Sequence, residues 1–473
     1  MRTRSDDWRR SAEPEPVNTI PHAGLETASA ALRVRPEPGG AARLAANLRR
    51  LRGGGLAESI LSLYAMQCAS YVVPLMTIPY LAWVLGAAGW GLIAFTQSFA
   101  GYLTLVVEYG FNFSATREVS VHRHSEERRA EILAGVLGAK CLLATGVTVA
   151  AAAVHGRIEL FRLHPDLFAA GLLWGLAQAF NMSWYFLGLE RMRLVACLDL
   201  GVRGLSMVAV FVVVRSHGDA WKVLVVQAAG SALSAAVALG IAWHRTPCRL
   251  PQWRWIRGAL ARGRGFLLFR AAETLYTSGN PLLLGLLVDP ATVGYFAGAE
   301  KICRGLFVGL LDPVHRSLFP RITYLIATGR ERAIDLVRRG AAGVIGLGLV
   351  LAATAFLLAP QLVTVLLGAE FAPAIAALRI LAVLPAAIAV KWAIGLQWMM
   401  PLGLEGAFNT IILGSAVFHL AAASVLARLR GHVGMAVAVA ATELLIPIAI
   451  YVVLRARGLD PLFRQPCCGT VSE

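Results

Sequence analysis

Several ionisable side chains stand inside long apolar runs, and these residues could bind or neutralise a charged partner. Glu300 precedes Arg304 by four residues, so both fall on one face of a helix and can pair, while Lys301 lies on a neighbouring face. A charge within an apolar span is costly unless it has a partner or faces a polar cavity. Because this pairing leaves one positive charge over, the stretch predicts a polar cavity lined by Glu300, Lys301 and Arg304.

Other apolar runs carry isolated charges of the same kind. Lys140 and Lys391 have no acid within reach on their own helix, so each requires a partner on another helix or an anion. Arg203 follows Asp199 by four residues, a spacing that suits a structural pair and a functional pair equally. Lys140, Arg203 and Lys391 are therefore further candidate cavity residues.

A polar segment follows one apolar run without an obvious loop. The stretch Gly101–Arg123, GYLTLVVEYGFNFSATREVSVHR, carries Glu108, Asn112 and Arg117 at the lip of a predicted span. We expect one continuous helix through residues 107–114, which would place Glu108 deeper in the membrane than Arg117. These side chains either face water or line a path into the membrane.

Arginines also stand at the ends of spans. Arg117 closes the segment above, and Arg321 follows a later span in the sequence LFPRI. One interpretation is that they determine topology. The other is an entry path for a phosphate group, which arginine engages with two parallel hydrogen bonds.

The sequence contains no motif of a soluble enzyme. There is no Walker loop, dinucleotide fingerprint, HExxH motif or nucleophile elbow. Neither the histidines nor the seven cysteines show metal-ligand spacing, so we expect no metal, cofactor or disulfide. The net charge of +16 is carried mainly by arginines in short loops, as membrane topology requires, so we expect no nucleic-acid partner.

Composition identifies the elements that must position these side chains. The chain is 57% apolar and 15% charged with a mean hydropathy of +0.63, which indicates an all-α polytopic membrane protein. We predict about twelve transmembrane helices, near residues 57–83, 89–111, 132–154, 167–187, 194–214, 221–243, 265–288, 292–313, 338–359, 373–399, 405–427 and 432–454.

The distribution of Lys and Arg predicts the topology. These residues are concentrated before the first span, in alternate loops and after the last span, so both termini are predicted to be cytoplasmic. Residues 1–55 lack an apolar core and are predicted to be a disordered basic cytoplasmic tail, not a signal peptide. Residues 244–264 and 455–473 are predicted to be a cytoplasmic linker and a cytoplasmic tail.

A weak internal repeat divides the chain into residues 56–243 and 265–454. LGAAGWGLIAFTQ aligns with LVDPATVGYFAGAE, which places Gly91 opposite Gly294, and LGLE occurs in each half. Because six spans separate the copies, both halves start on the same side of the membrane. The repeat predicts pseudo-two-fold symmetry about an axis along the membrane normal, with a binding site between the halves.

These segments together resemble a known family. GFNFSATRE, SWYFLGLERMR, SGNPLLLGLL with VGYFAGAEKI, LFPRI and LLGAEFAPAIAALRILA are similar to the O-antigen and exopolysaccharide flippases, the polysaccharide branch of the multidrug/oligosaccharidyl-lipid/polysaccharide exporter superfamily. The resemblance covers about Leu56 to Leu454. It nominates Glu108, Asn112, Arg117, Glu190, Glu300, Lys301 and Arg321. At Glu108 the family commonly has Asp.

The resemblance implies two six-helix bundles around a cationic central cavity. It implies a flippase that moves an undecaprenyl-diphosphate-linked oligosaccharide, the repeat unit of O-antigen, capsule or exopolysaccharide, across the bacterial inner membrane by alternating access. Its expected partners are that lipid-linked glycan, membrane lipids, and the polymerase and glycosyltransferases of the same pathway. Coupling to a H⁺ or Na⁺ gradient would make Glu108 or Glu300 the titrating group.

Three alternatives remain open. A multidrug cation exporter of the same superfamily should have an acidic, aromatic pocket, whereas the charges within these spans lean basic. A membrane-embedded glycan-assembly enzyme should present a large external loop, which the predicted topology does not provide. A scaffold in a glycan-assembly complex is the third alternative.

Overall fold

The computed structural model describes residues 56–312, 322 and 330–459, and every regular element among them is helical. From Ser59 onward the chain forms one compact unit. The helices are α1 (Leu56–Glu108), α2 (Phe111–Val121), α3 (Glu126–His155), α4 (Glu159–Leu163), α5 (Pro165–Ala179), α6 (Ser183–Gly188), α7 (Met192–Val213), α8 (Ala220–His244), α9 (Trp253–Thr277), α10 (Asn280–Gly285), α11 (Pro290–Ile302), α12 (Arg330–Leu357), α13 (Ala359–Leu366), α14 (Ala374–Leu381), α15 (Leu384–Lys391) and α16 (Glu405–Ala456).

Helix α16 is a helical hairpin. Gly431 interrupts it with a φ of 55°, in the left-handed region that glycine tolerates best. Beyond this turn the chain folds back, so His419 Nδ1 lies 3.0 Å from Thr442 Oγ1, 23 positions along the chain. Helix α1 reverses in the same way at Gly86, where φ is 67°, and Ile78 and Gln97 from its two arms line one cavity.

Six of the described helical segments are long and apolar enough to cross a membrane, which agrees with an all-α membrane protein. Many large apolar side chains on these helices face outward, among them Trp83 at 80% and Val350 at 62% exposure, as a lipid-facing surface requires. The six segments are Met76–Val121, Glu126–His155, His217–His244, Leu336–Leu357, Ala374–Met399 and Glu405–Ala456. The other predicted spans coincide with helices that are shorter, interrupted or only partly described, so the count of twelve stays a prediction.

The polar end of span two departs from the sequence prediction. The expected continuous helix through residues 107–114 is wrong, because Tyr109 and Gly110 have φ values of 48° and 81° and end α1. Helix α2 then starts in a new direction. It packs Phe111 and Val119 into one buried cluster with Trp184, Tyr185 and Phe186 of α6. The aromatic residues around this break therefore hold α2 against α6.

The two halves meet at a close helix crossing. A Cβ atom at Gly91 would lie 1.8 Å from the carbonyl oxygen of Pro290, and one at Gly294 would lie 2.0 Å from the carbonyl oxygen of Ala87. Each glycine therefore packs against the carbonyl oxygen of the residue that lies four positions before the other glycine in the sequence. This reciprocal contact is the one expected of repeat-related residues beside a two-fold axis, and only glycine allows the backbones to approach so closely.

Two helices widen into π-helical turns next to charged residues. Helix α11 continues as a π-helical turn over Cys303–Val308, which contains Arg304, and α15 continues as another over Trp392–Met399, directly after Lys391. Such turns re-aim side chains and are frequent at functional sites.

Candidate functional site

Two adjoining chambers lie within the helices, with volumes of about 380 and 420 Å³. Eight of the twenty side chains that line the first chamber are amides or hydroxyls, including Gln97, Gln178 and Gln227. The second chamber combines Glu300 and Arg304 with apolar residues. Five side chains border both chambers, namely Ile78, Trp90, Ile93, Gln97 and Lys301. The chambers are therefore parts of one cavity.

Lys301 is the cation at the junction of the two chambers. It lies in the last turn of α11, a helix whose start is fixed by Pro290 and by the side chain of Asp289, which accepts a hydrogen bond from Thr292 N at 2.9 Å. Lys301 is solvent-exposed although its neighbours Glu300 and Ile302 are buried, so its side chain projects into the cavity. Within the described part of the chain, no hydrogen bond or ion pair engages its ammonium group.

Glu300, by contrast, is already neutralised. Its Oε1 accepts hydrogen bonds from Arg304 Nε at 3.2 Å and from Asn280 Nδ2 at 2.9 Å. Only 8% of Glu300 is exposed, so the pair is held in a water-poor wall of the second chamber. The predicted i, i+4 pair between Glu300 and Arg304 is thus present in the structure.

A second carboxylate, Glu443, lies behind this pair and is fully buried. Its Oε2 accepts a hydrogen bond from Lys391 Nζ at 2.7 Å, and its Oε1 lies 3.5 Å from Arg304 Nη2. Lys391 Nζ also lies 5.8 Å from the centre of the Tyr276 ring. The structure places Lys391 in this buried ion pair and not among the residues that line either chamber, and its predicted role in the cavity stays a prediction.

Neutral polar side chains extend the buried network. His419 Nε2 lies 2.9 Å from Asn280 Oδ1, and His419 Nδ1 lies 3.0 Å from Thr442 Oγ1. Asn280 therefore connects His419 to Glu300. We name this set, Tyr276, Asn280, Glu300, Arg304, Lys391, His419, Thr442 and Glu443, the buried polar network.

Sequence reasoning missed Asn280, His419 and Glu443. Each had the same signal as the residues that were found, a polar or ionisable side chain within a run long enough to span a membrane. Glu443 in ATELLIP is the clearest example, because it is a lone carboxylate in a span and must have a cationic partner.

Lys140 is buried and is held by backbone carbonyl groups. It is fully buried, and its Nζ donates hydrogen bonds to the carbonyl oxygens of Ala179 at 2.6 Å and Asn181 at 3.3 Å. These carbonyls lie at the end of α5, where the helix leaves acceptors without an intrahelical donor. Glu108 lies close enough to act on Lys140 electrostatically. Lys140 and Glu108 are not among the residues that line the two chambers, and their predicted role in the cavity stays a prediction.

Of the remaining predicted residues, some line the cavity and others do not. Arg203 and Asp199 both line the first chamber. Asn112 and Arg117 are exposed on α2 and line neither chamber, so their predicted role in the cavity stays a prediction. Arg321 lies outside the described residues. The structure therefore brings Arg203, Glu300, Lys301 and Arg304 together around one cavity.

Comparison with known proteins now gives the family. The model of the polysaccharide biosynthesis protein family matches residues 56–325, more than half of the chain. Two relatives are named as O-antigen transporters. That of Escherichia coli (strain K12) is 25% identical, with 85% of this chain and 98% of the relative covered. That of Shigella dysenteriae is 29% identical, with 82% and 97% covered.

Two solved structures share the fold. One is an inward-facing multidrug resistance transporter of the MATE family and MOP superfamily, with a TM-score of 0.64, 16% identity, and coverage of 84% of this chain and 98% of that chain. The other is the lipid II flippase MurJ in an inward closed conformation, with a TM-score of 0.61, 11% identity, and coverage of 84% and 87%. On the match to its sequence model, the chain belongs to the polysaccharide biosynthesis protein family.

Proposed function

We propose that this protein is a flippase that moves an undecaprenyl-diphosphate-linked oligosaccharide across the bacterial inner membrane. The cargo carries an anionic diphosphate and a polar glycan, both of which would otherwise have to enter the hydrocarbon core. A water-accessible cavity with fixed positive charge compensates for the water lost around the diphosphate. No bond is made or broken in this process, so the protein acts as a transporter and not as an enzyme. The names of the two O-antigen transporters support the same class of cargo.

The observation that carries the proposal is the state of Lys301. The carboxylate beside it, Glu300, is held by Arg304, and Glu443 is held by Lys391. Lys301 is therefore the cation that both chambers present to a ligand, because among the described residues its ammonium group makes no hydrogen bond or ion pair, although the Glu300 carboxylate acts on it electrostatically. An ammonium group in this position attracts an anion.

The same observation separates this function from multidrug export. A pocket for an organic cation should present a free carboxylate beside aromatic rings. Here Glu300 is engaged by Arg304 and Asn280 in the described structure, and the unengaged charge at the junction of the chambers is positive. The likeness to the MATE transporter concerns the fold alone.

We place both termini in the cytoplasm and propose alternating access between the two bundles, residues 56–243 and 265–454. We infer that the close crossing of Gly91 and Gly294, next to the cavity residues Trp90 and Ile93, closes one end of the cavity. At the same end the backbone N–H of Ala87 donates a 2.9 Å hydrogen bond to Glu370 Oε1. By the predicted topology this end is external, so the cavity would load from the cytoplasmic side, and export would require these contacts to separate.

Export against a gradient needs a driving force. We propose coupling to a H⁺ or Na⁺ gradient, with Glu300 as the titrating group, because its carboxylate lines the second chamber and is shared between Arg304 and Asn280. In membrane vesicles, an ionophore that collapses the coupled gradient should stop accumulation of the glycan, whereas an ionophore for the other ion should not.

The test of function is substitution of Lys301 in cells that lack their own copy of the transporter. Lys301→Ala should reduce surface polysaccharide about tenfold or more, because one charge-assisted contact to the diphosphate is lost. Lys301→Arg should retain part of the activity. Lys222→Ala is the matched control, since Lys222 pairs with Asp219 at 2.7 Å outside both chambers. Normal surface polysaccharide in Lys301→Ala cells, at equal membrane levels of protein, would refute the cationic-cavity mechanism.

A further inference from the structure

The first chamber differs in chemistry from the second, and we propose that it binds the uncharged sugar part of the cargo. This inference rests on the proposed function and deepens it by assigning separate places to the glycan and to the diphosphate. The diphosphate lies at Lys301, which borders both chambers. The sugars extend from there into the first chamber.

The first argument is the amide-rich wall. Gln97, Gln178 and Gln227 line the first chamber, and Gln97 Nε2 donates a 3.0 Å hydrogen bond to Gln227 Oε1. Each primary amide offers two N–H donors and a carbonyl acceptor. The bond between Gln97 and Gln227 uses one donor and one acceptor of that set. The N–H and C=O groups of these two amides that remain unused can form hydrogen bonds with the hydroxyl groups of a sugar, because a hydroxyl group is both a donor and an acceptor.

The second argument is the pair of indole rings. Trp90 and Trp174 both line the first chamber. Trp90 is only 5% exposed, and its buried Nε1 has no hydrogen-bond partner. An indole combines a broad apolar face with one polar N–H. A pyranose ring matches this combination, because its C–H face can stack on the partly exposed ring of Trp174 while its hydroxyl edge meets the amides.

The third argument is charge. Apart from Lys301, the ionisable side chains lining the first chamber are Asp199 and Arg203, which are opposite in sign and act on each other. The first chamber away from the junction is therefore close to neutral. Its volume of about 380 Å³ falls in the range of small-molecule sites. These features favour hydroxyl-rich neutral sugars over a glycan with several carboxylates.

The test compares three lipids binding to the purified full-length protein in nanodiscs. The probes are undecaprenyl diphosphate, the same lipid with a neutral trisaccharide, and the same lipid with that trisaccharide ending in a uronic acid. We expect the neutral trisaccharide to improve affinity about tenfold over the bare lipid, and the uronic acid to add nothing further. Equal affinity for the bare and the neutral glycosylated lipid would overturn the inference, and so would tighter binding of the uronic acid.

The decisive variant is the double substitution Gln178→Met and Gln227→Met, which keeps side-chain volume and removes the hydrogen-bonding groups of two residues that line the first chamber and not the second. It should lose the roughly tenfold preference for the neutral trisaccharide, bind undecaprenyl diphosphate as the wild type does, and keep the wild-type melting temperature. Gln361→Met is the control, because Gln361 is exposed and lies outside both chambers. Retention of the preference by the double variant would overturn the inference.

Unchanged binding of the bare lipid by Lys301→Ala would instead refute the proposed function, so the two failures are distinguishable.

Discussion

Among individual residues, the contrast between Lys301 and Lys391 shows how a membrane protein keeps one cation available and neutralises another. Both stand in apolar segments, but Lys391 Nζ lies 2.7 Å from Glu443 Oε2 whereas Lys301 projects into the cavity. Removing one partner of a buried ion pair leaves an uncompensated charge, which costs more than removing both partners. Lys391 should therefore contribute to stability and Lys301 to cargo binding.

Glu443→Gln should strongly destabilise the protein, by about 3–5 kcal/mol, because Lys391 then loses its buried counter-charge. The double variant Lys391→Met, Glu443→Gln should recover most of this loss, since the pair between Glu300 and Arg304 stays intact. Thermal unfolding of the purified proteins measures both effects. A double variant as unstable as the sum of the two single variants would show that the pair has no such role.

The local pair could be found from sequence, and the distant one could not. Glu300 and Arg304 are four residues apart on one helix, and helical geometry alone brings them to 3.2 Å. Lys391 and Glu443 are 52 positions apart, and their contact depends on how separate helices pack. Sequence showed only that Lys391 needed a partner. Lys140 had the same requirement but met it with the backbone carbonyls of a broken helix, an outcome that depends on the break itself.

Among the helices, α11 is the element that positions Glu300 and Lys301, and its N-terminal cap is open to a direct test. Burial raises the pKa of Asp289, but hydrogen bonds from Thr292 N at 2.9 Å and Thr292 Oγ1 at 2.7 Å outweigh it and hold that pKa below its ordinary value. A carboxylate with a lowered pKa stabilises the fold above its unfolded pKa, near 4. That contribution is lost as the pH falls through the lower folded value.

Asp289→Ala should therefore lower stability by about 0.5–2 kcal/mol at pH 7, the cost of losing a helix cap. The difference in melting temperature between this variant and the wild type should shrink when the pH is lowered from 6 to 3. Asp289→Asn is the matched control, because asparagine caps a helix without a titrating charge. A gap between wild type and Asp289→Ala that stays constant with pH would contradict the ionic cap.

The crossing of α1 and α11 is the element that we propose closes the cavity. Gly91→Ala should force these helices apart, because the added methyl carbon would lie 1.8 Å from the carbonyl oxygen of Pro290. We expect loss of surface polysaccharide in cells and a higher rate of modification at a cysteine introduced at Ala87. Gly146→Ala, where a Cβ meets nothing within 4 Å, should behave as the wild type. Equal behaviour of the two variants would show that the close crossing is dispensable.

Helix breaks were harder to predict than helices. The residues EYGFN join an apolar run to a polar one, and the continuous hydropathy favoured a single helix. Gly110 was the available signal, but the break also needs Tyr109 in a left-handed conformation, which a tyrosine rarely adopts. Phe111 and Tyr109 pack in one cluster with Trp184 and Tyr185, and such tertiary packing is not encoded in the local sequence.

For the molecule as a whole, loops that are predicted to lie on the same side of the membrane contact each other. At the predicted external end, Glu370 accepts from Ala87 N at 2.9 Å, and His432 Nε2 lies 3.1 Å from the carbonyl oxygen of Pro373. At the predicted cytoplasmic end, Arg249 lies 3.6 Å from Glu131. In each case the two contacting segments are ones that the distribution of Lys and Arg assigns to the same side of the membrane.

This agreement leads to a test of orientation around a single helix. Alkaline phosphatase fused after Gly218, in the connection that precedes α8, should be active because that connection is predicted to face the periplasm. The same enzyme fused after Arg249, in the connection that follows α8, should be inactive, and green fluorescent protein fused there should fluoresce. Helix α8 has 25 residues, about 38 Å at 1.5 Å per residue and enough to cross the hydrocarbon core once, so the two fusions must report opposite sides. The reverse pattern would place the termini outside and the Gly91–Gly294 closure at the cytoplasmic face, and the cavity would then open to the side where no lipid-linked glycan is made.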